Sequence, residues 1–172
     1  MKQLRGSELN FFNKNIQKNI ERNRQLVIVL FSVDYQANLG MIFRLCDALN
    51  VKKLYLTGSV VSPEGKIFER VSRHKVNNVS WEKSDNINEV LDNLKNDGFE
   101  IIGVEITDKS VRYDQYQFGD KVALVLGNEG HGVPDKILAK CDASVFIPMF
   151  GSGGSMNVAV ASSIVAYKVV LG

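Results

Sequence analysis

The chain has 172 residues, of which 45% are hydrophobic and 23% are charged. This length and balance are typical of one globular domain with a sizeable core, and they exclude lasting disorder for most of the chain. Two cysteines without a C-x-x-C pair and only two histidines argue against a disulfide framework and a metal site. The chain starts with polar sequence and has no apolar run of about 18 residues, so the sequence predicts a soluble cytoplasmic protein without a membrane span.

The net charge is only +2, but the charge is unevenly distributed. The first 25 residues hold six basic and two acidic groups, whereas the remainder holds 15 basic and 17 acidic ones. We therefore expect a basic N-terminal arm over 1–25 and a single domain over 26–172. Apolar residues at helical spacing predict an amphipathic helix over 7–24, namely Leu9, Phe12, Ile16 and Ile20. This helix either packs one face on the domain or contacts a polyanion.

Strands and helices are predicted to alternate along the rest of the chain. Short apolar runs rich in β-branched residues indicate strands at 26–31, 54–56, 99–104, 122–126 and 145–147. Helical patterns occupy 39–49, 87–96 (with Gly98 as a cap), a short segment that starts at Pro134, and 156–170. Residues 58–85 mix glycine, proline and charge, and we expect a mobile insertion there.

This order predicts an α/β domain with a mostly parallel sheet flanked by helices. Ligands of such sheets bind beyond the carboxyl ends of the strands, where the chain reverses direction. The relevant loops are those that follow Phe31, Val104, Leu126 and Ile147.

Common phosphate-binding and hydrolase motifs are missing. The sequence has no G-x-G-x-x-G after a strand, no G-x-x-x-x-G-K-[ST] and no G-x-S-x-G. Two other glycine-rich loops follow strands, at 127–134 and 148–157. Each is either a tight turn or a place where backbone approaches a ligand closely.

Three stretches taken together resemble the motifs of the SpoU/TrmH branch of the SPOUT RNA methyltransferases. They are Asn38-Leu39-Gly40 through Arg44 to Asp47-Ala48-Leu49, then Leu126-Gly127-Asn128-Glu129-Gly130, then Ile147-Pro148-Met149 through Ser155-Met156-Asn157 to Ala161. The resemblance covers about residues 26–170. It implies 2′-O-methylation of a ribose in tRNA or rRNA, with S-adenosylmethionine as cofactor. It also implies a deep C-terminal trefoil knot and a homodimer. Met156 departs from the leucine usual in the family, a nearly volume-conserving exchange. The chain also shows no separate N-terminal RNA-binding domain, so the RNA partner stays open, with tRNA favoured over rRNA.

The resemblance marks five catalytic residues, and each also has a simpler structural interpretation. Arg44 is expected five residues into its helix. Because an arginine stays protonated and is a poor base, we expect it to clamp the phosphate beside the target ribose. The alternative for Arg44 is a solvated surface residue. Asn38 either orients Arg44 or the RNA, or caps that helix. Glu129 organises its loop, or is an ordinary solvated carboxylate. Ser155 is expected to cap the last helix, and Ser155 and Asn157 also to face the RNA.

The resemblance further places the cofactor among the loops that follow the third to fifth strands. The residues expected to hold it are Val104, Leu126, Gly127, Ile147, Met149 and Met156; core packing is the alternative for the apolar ones. A basic stretch in the expected insertion, with Arg70, Arg73 and Lys75, is either a solvated loop or an RNA contact. A catalytically silent RNA-binding protein on the same fold and a small-molecule α/β enzyme are the competing functions.

Overall fold

The computed structural model of the chain describes residues 1–19 and 24–172. Its elements in chain order are α1 (Gly6–Asn19), β1 (Gln25–Phe31), α2 (Gln36–Leu49), β2 (Lys53–Thr57), α3 (Lys66–Ser72), a 3-10 turn (Lys75–Asn78), β3 (Trp81–Ser84), α4 (Ile87–Asn96), β4 (Glu100–Val104), β5 (Val111–Arg112), β6 (Lys121–Leu126), α5 (Asp135–Leu138), β7 (Ala143–Phe146) and α6 (Val158–Leu171).

The seven strands form one sheet in the order β3-β2-β1-β6-β4-β7-β5, and every strand pair described is parallel. The predicted mostly parallel sheet flanked by helices is therefore confirmed. The chain runs outward from β1 to β3 and then crosses to build the other half of the sheet, so direction reverses beside β1. The loops after β1, β6, β4 and β7 thus meet at one edge of the sheet, which is where α/β proteins bind ligands.

Burial of β1 shows how the layers are built. Its five central residues are buried, because the strand pairs with β2 on one side and β6 on the other. Side chains alternate between the two faces of a strand. Ile28 and Leu30 join a cluster that includes α2 and α6, whereas Val27 and Val29 pack with α4 and α5. Helices therefore cover both faces of the sheet, as a sheet that is apolar on both sides requires.

Residues 58–85 do not form the expected loop-like insertion. They contain α3, the 3-10 turn and β3, which pairs with β2 and adds an edge strand to the sheet. Phe68 of α3 is buried and meets Phe43 of α2 edge to face, with 5.2 Å between the ring centroids. Gly40 allows α3 this close to α2, since a Cβ at Gly40 would lie 3.0 Å from the Cβ of Val71. The segment is thus part of the packed domain.

The N-terminal helix leaves every residue unburied. The structure describes α1 as Gly6–Asn19, and the end of the predicted helix, including Ile20, lies outside the described residues. Leu9 and Phe12, on the apolar face of this helix, are exposed. The interpretation in which that face packs on the domain is therefore wrong for the described residues of α1. Within 1–19 and 24–172, no helix has the length and apolar content needed to span a bilayer.

Candidate active site

A cavity of about 980 Å³ opens at the switch point of the sheet, the place beside β1 where the strand order reverses. Its walls come from the loops that follow β1, β4, β6 and β7, and from the start of α6. Volumes of roughly 300–1,000 Å³ are typical of sites for small ligands and cofactors. The cavity therefore offers room for a ligand where the topology predicts one.

Three polar side chains from the three motifs form a continuous hydrogen-bond chain beside this cavity. The Asn38 Nδ2 donates to Oε1 of Glu129 across 2.7 Å, and the Asn157 Nδ2 donates to Oδ1 of Asn38 across 2.9 Å. Oε2 of Glu129 accepts from the backbone N–H of Asp34 at 3.1 Å. Because a carboxylate only accepts, this network leaves one orientation for each amide group. Segments nearly 120 residues apart are thereby held in register.

The network also decides which residue caps α6. Oδ1 of Asn157 accepts from the backbone N–H groups of Ala159 and Val160, at 2.9 and 3.3 Å. The predicted cap, Ser155, is wrong, because α6 begins at Val158 and not at Met156. Asn157 fits better because its amide caps the helix with the oxygen and still donates to Asn38 with the nitrogen. Ser155 lines the cavity instead.

Asn38 does not cap α2. The helix begins at Gln36, two residues before Asn38, and Tyr35 at the cap position makes no side-chain capping bond. Asn38 thus lies within the first turn, where its side chain is 5% exposed and turned toward Glu129. Asn38 is therefore not the cap of α2. Its side chain is itself buried and joins the half-buried Glu129 and the exposed Asn157 in the hydrogen-bond chain.

The loop that follows β6 is held by Asn128. Its Oδ1 accepts from the backbone N–H groups of Gly130 and His131, and its Nδ2 donates to the carbonyl of Ser32 at 2.7 Å. Gly127 has no room for a side chain, since a Cβ there would overlap the carbonyl group of Gly132. The second motif therefore needs its glycine for close backbone approach.

Glu105, at the end of β4, is a site residue that the sequence interpretation missed. Its Oε2 accepts from the backbone N–H of Val133 at 3.0 Å and lies against Gly132, whose φ is +64°. It thus buttresses the β6 loop from the opposite wall of the cavity. In the sequence, the one feature that pointed to Glu105 is its position directly after a strand whose carboxyl end lies at the switch point.

All six residues expected to hold the cofactor line the cavity. They come from three neighbouring loops, and they are Val104, Leu126, Gly127, Ile147, Met149 and Met156. Apolar side chains with a few backbone polar groups suit an adenine ring. Among the described residues that line the cavity, four are carboxylates and none is lysine or arginine; the carboxylates are Glu105, Asp108, Glu129 and Asp135. These negatively charged groups fit a ligand that carries positive charge, such as a sulfonium.

Arg44 lies outside the cavity lining, unlike the other four predicted catalytic residues. It lies eight residues into α2 and not five, because the helix begins at Gln36, and its side chain is exposed. Arg44 follows Ala37, a lining residue, by two helical turns, so it lies on the same face about 10 Å further along. It makes no hydrogen bond or ion pair with any residue in the described part of the chain, which leaves its guanidinium available to an external anion.

The three basic residues near α3 do not behave alike. Arg70 and Arg73 are exposed, and neither is paired within the described ranges. Lys75 instead forms an ion pair with Asp47 of α2 at 2.9 Å. Burial alone would raise the pKa of Asp47, but hydrogen bonds from Lys75 and Asn78 hold that pKa below its ordinary value. Lys75 therefore ties the 3-10 turn to α2.

Comparison with known proteins decides the family. The sequence profile of the SpoU rRNA Methylase family matches residues 25–167. The chain belongs to this family. The family resemblance inferred from the three motifs is confirmed.

Curated relatives and solved structures agree with this assignment. A tRNA (guanosine(18)-2′-O)-methyltransferase of Aquifex aeolicus is 32% identical over 148 residues, which span 86% of this chain and 70% of the relative. A Saccharomyces cerevisiae protein with the same activity in its name is 33% identical over 93% of this chain, but the match spans only 11% of that larger protein. The crystal structure of the A. aeolicus TrmH/SpoU tRNA modifying enzyme superimposes with a TM-score of 0.77 at 31% identity, and covers 92% of this chain and 82% of its own.

Proposed function

We propose that the protein transfers a methyl group from S-adenosylmethionine to the 2′-hydroxyl of a ribose in tRNA. One observation carries this proposal: the three family motifs converge on a single cavity, and the chain of hydrogen bonds from Glu129 through Asn38 to Asn157 joins them. Family membership gives methyl transfer to RNA as the reaction class. The tRNA-modifying relatives favour tRNA over rRNA.

The cofactor would occupy the loops after β4, β6 and β7. Gly127 and Ile147 line the cavity, and Met149 and Met156 provide apolar walls. When bound, S-adenosylmethionine supplies an electrophilic methyl group on a sulfonium, so the protein need not supply an electrophile itself. The carboxylates of the cavity favour that cation.

The polar residues then position the ribose. Glu129 and Asn38 hold the start of α2 in place, because both oxygens of the carboxylate are already used as acceptors. Ser155 presents its hydroxyl group beside the start of α6, and Asn157 presents the amide N–H that its bond to Asn38 leaves unused. Arg44 grips the phosphate next to the target ribose with its planar guanidinium.

RNA-binding groups extend beyond the cavity. Arg70 and Arg73 are free to contact phosphates. Lys75, which pairs with Asp47 and so ties the 3-10 turn to α2, is the third basic group on this surface. The basic N-terminal arm over 1–25 is a further polyanion contact, separate from the methyltransferase domain over 26–172.

We also propose the deep trefoil knot, the homodimer and the cytoplasmic location that the family resemblance implies. An exposed apolar stripe on α6 supports a dimer interface there: Val160 is 45%, Tyr167 45% and Leu171 60% exposed. A protein that sediments as a monomer at micromolar concentration would contradict the dimer. The cytoplasm is the compartment in which this chain would meet tRNA.

The function is tested by transfer of radiolabelled methyl groups from S-adenosylmethionine to total RNA from a host strain that lacks the gene, followed by nucleoside analysis. The expected product is a 2′-O-methyl nucleoside from the tRNA fraction. Arg44→Ala should fold, bind the cofactor as the wild type does and lose most turnover. Arg112→Ala is the matched control, since this arginine is exposed but already paired with Asp114. Cofactor binding without label in any RNA would favour the silent protein.

A further inference from the structure

Two aromatic side chains stand exposed, one in the lining of the cavity and one next to a lining residue in sequence. Phe150, in the loop after β7, is 96% exposed, and Tyr35, just before α2, is 63% exposed. Outside α1 and α6, they are the two most exposed aromatic side chains in the described part of the chain. Tyr35 lines the cavity, and Phe150 directly follows the lining residue Met149. Proteins that bind single-stranded nucleic acid use exposed aromatic side chains as surfaces on which bases stack.

The loop that carries Phe150 is not constrained by packing. A Cβ added at Gly151 or at Gly154 would meet nothing within 4 Å, and neither glycine has a φ in the left-handed region. These glycines are therefore not required by a turn or by close contact. What they contribute is backbone freedom, which lets the ring of Phe150 adapt to what it binds.

We propose that Tyr35 and Phe150 stack on unpaired nucleobases of the RNA, so that the substrate presents its target ribose in a single-stranded segment. This inference rests on the proposed function and adds the form of the RNA to it. A base is bonded directly to its ribose, so a ribose that enters beside Asn38 brings its own base or a neighbouring one to the rim. Within an A-form helix the bases are paired and stacked, and aromatic rings cannot reach their faces.

The unpaired basic groups on α2 and near α3 fit nucleic acid better than a second protein surface. Tyr35 immediately precedes the helix that carries Arg44, and α3, with Arg70 and Arg73, packs on that helix. These three guanidinium groups have no partner within 1–19 and 24–172 and would suit phosphates. Aromatic platforms combined with free cations are the usual means by which proteins hold single strands.

The test compares binding of two fluorescein-labelled probes, a short oligouridylate and a short RNA duplex. Phe150→Leu keeps an apolar side chain but removes the π face, whereas Phe150→Trp keeps an aromatic ring. We expect Phe150→Leu to bind oligouridylate about five- to tenfold more weakly, from the usual cost of one lost stack, and to bind the duplex as the wild type does. Phe150→Trp should retain wild-type affinity for both probes. Tyr35→Leu should likewise weaken binding of oligouridylate only, and Tyr35→Phe should retain wild-type affinity for both probes.

Three results would overturn the inference. The first is wild-type affinity of Phe150→Leu for oligouridylate. The second is an equal loss of affinity for both probes. The third is a shift of Phe150→Leu from dimer to monomer in sedimentation, which would assign the ring to the contact between copies of the chain. Methylation of total tRNA separates this inference from the function itself. If the wild type methylates tRNA and Phe150→Leu does so with an unchanged KM, only the stacking role fails; if the wild type transfers no methyl group, the function fails.

Discussion

Replacement of Asn38 tests whether the hydrogen-bond chain that runs through this buried residue organises the site. Asn38→Ala removes one hydrogen bond to a carboxylate and one between amides, and leaves the donor of Asn157 without its partner. A bond to a charged group contributes about 1.5–3 kcal/mol and a neutral one about 0.5–1.5 kcal/mol. We expect the free energy of unfolding to fall by about 2–4 kcal/mol. Between about pH 5 and about pH 8 the loss should change little, because the substitution introduces no titratable group.

Asn38→Asp is the sharper form of the same test. It places a second carboxyl group where the amide now lies 2.7 Å from Glu129. Two like charges about 4 Å apart repel by about 4 kcal/mol at an effective dielectric constant near 20. Repulsion raises the pKa of the introduced carboxyl group in the folded state, so the folded protein binds more protons than the unfolded one. Stability must therefore fall as pH rises.

Urea unfolding at about pH 5 and about pH 8, at one protein concentration, measures both variants. Asn38→Asp should lose about 3–5 kcal/mol at the higher pH and recover at least half of that loss at the lower pH. Asn38→Ala should show the same loss at both values. An Asn38→Asp variant whose loss does not change with pH would refute the contact with Glu129.

Other predictions concern charge, loop freedom and buried thiols. Arg70→Ala with Arg73→Ala should weaken RNA binding and reduce the slope of log K against log salt by roughly 1.4–1.8. Lys75→Ala should change the slope less, because Lys75 is already paired with Asp47. Fluorescence anisotropy across a salt series measures both. Gly154→Ala should unfold at an equal or higher urea concentration, with a gain of up to about 1 kcal/mol, yet turn over more slowly if the loop must adapt. Burial raises the pKa of Cys46 to about 12, so iodoacetamide should leave that thiol unmodified in the folded protein at about pH 8.

Much of the sheet could be predicted because buried parallel strands have a plain signature. The run at 26–31 is apolar throughout, and β1 is buried on both faces as expected. Residues 58–85 lack that signature, since their elements are short and bounded by glycine and proline. Their order comes from contacts such as that of Phe68 with Phe43, which no local pattern records. Tertiary packing decided the structure of this segment.

The helix caps show a second limit of sequence reasoning. Serine and asparagine are both good N-caps, so local preference could not separate Ser155 from Asn157. The choice depends on Asn38, which is distant in sequence and takes the other half of the Asn157 amide. In the same way, Asn38 could not be excluded as a cap until its buried contact with Glu129 was known.

The position of Arg44 bears on how the ribose proton is removed. Arg44 lies about 10 Å along α2 from the cavity wall, on the outer part of the same face. That distance suits a contact with the phosphate next to the target ribose better than a contact with the hydroxyl. Glu129 is no better placed as a base, since both of its oxygens already accept hydrogen bonds. We therefore propose that the proton leaves through the RNA phosphate, or through a water bound to it, with Arg44 holding that phosphate in place. Arg44→Lys, which keeps the charge but loses the planar fork, should then recover only a small part of the rate lost in Arg44→Ala.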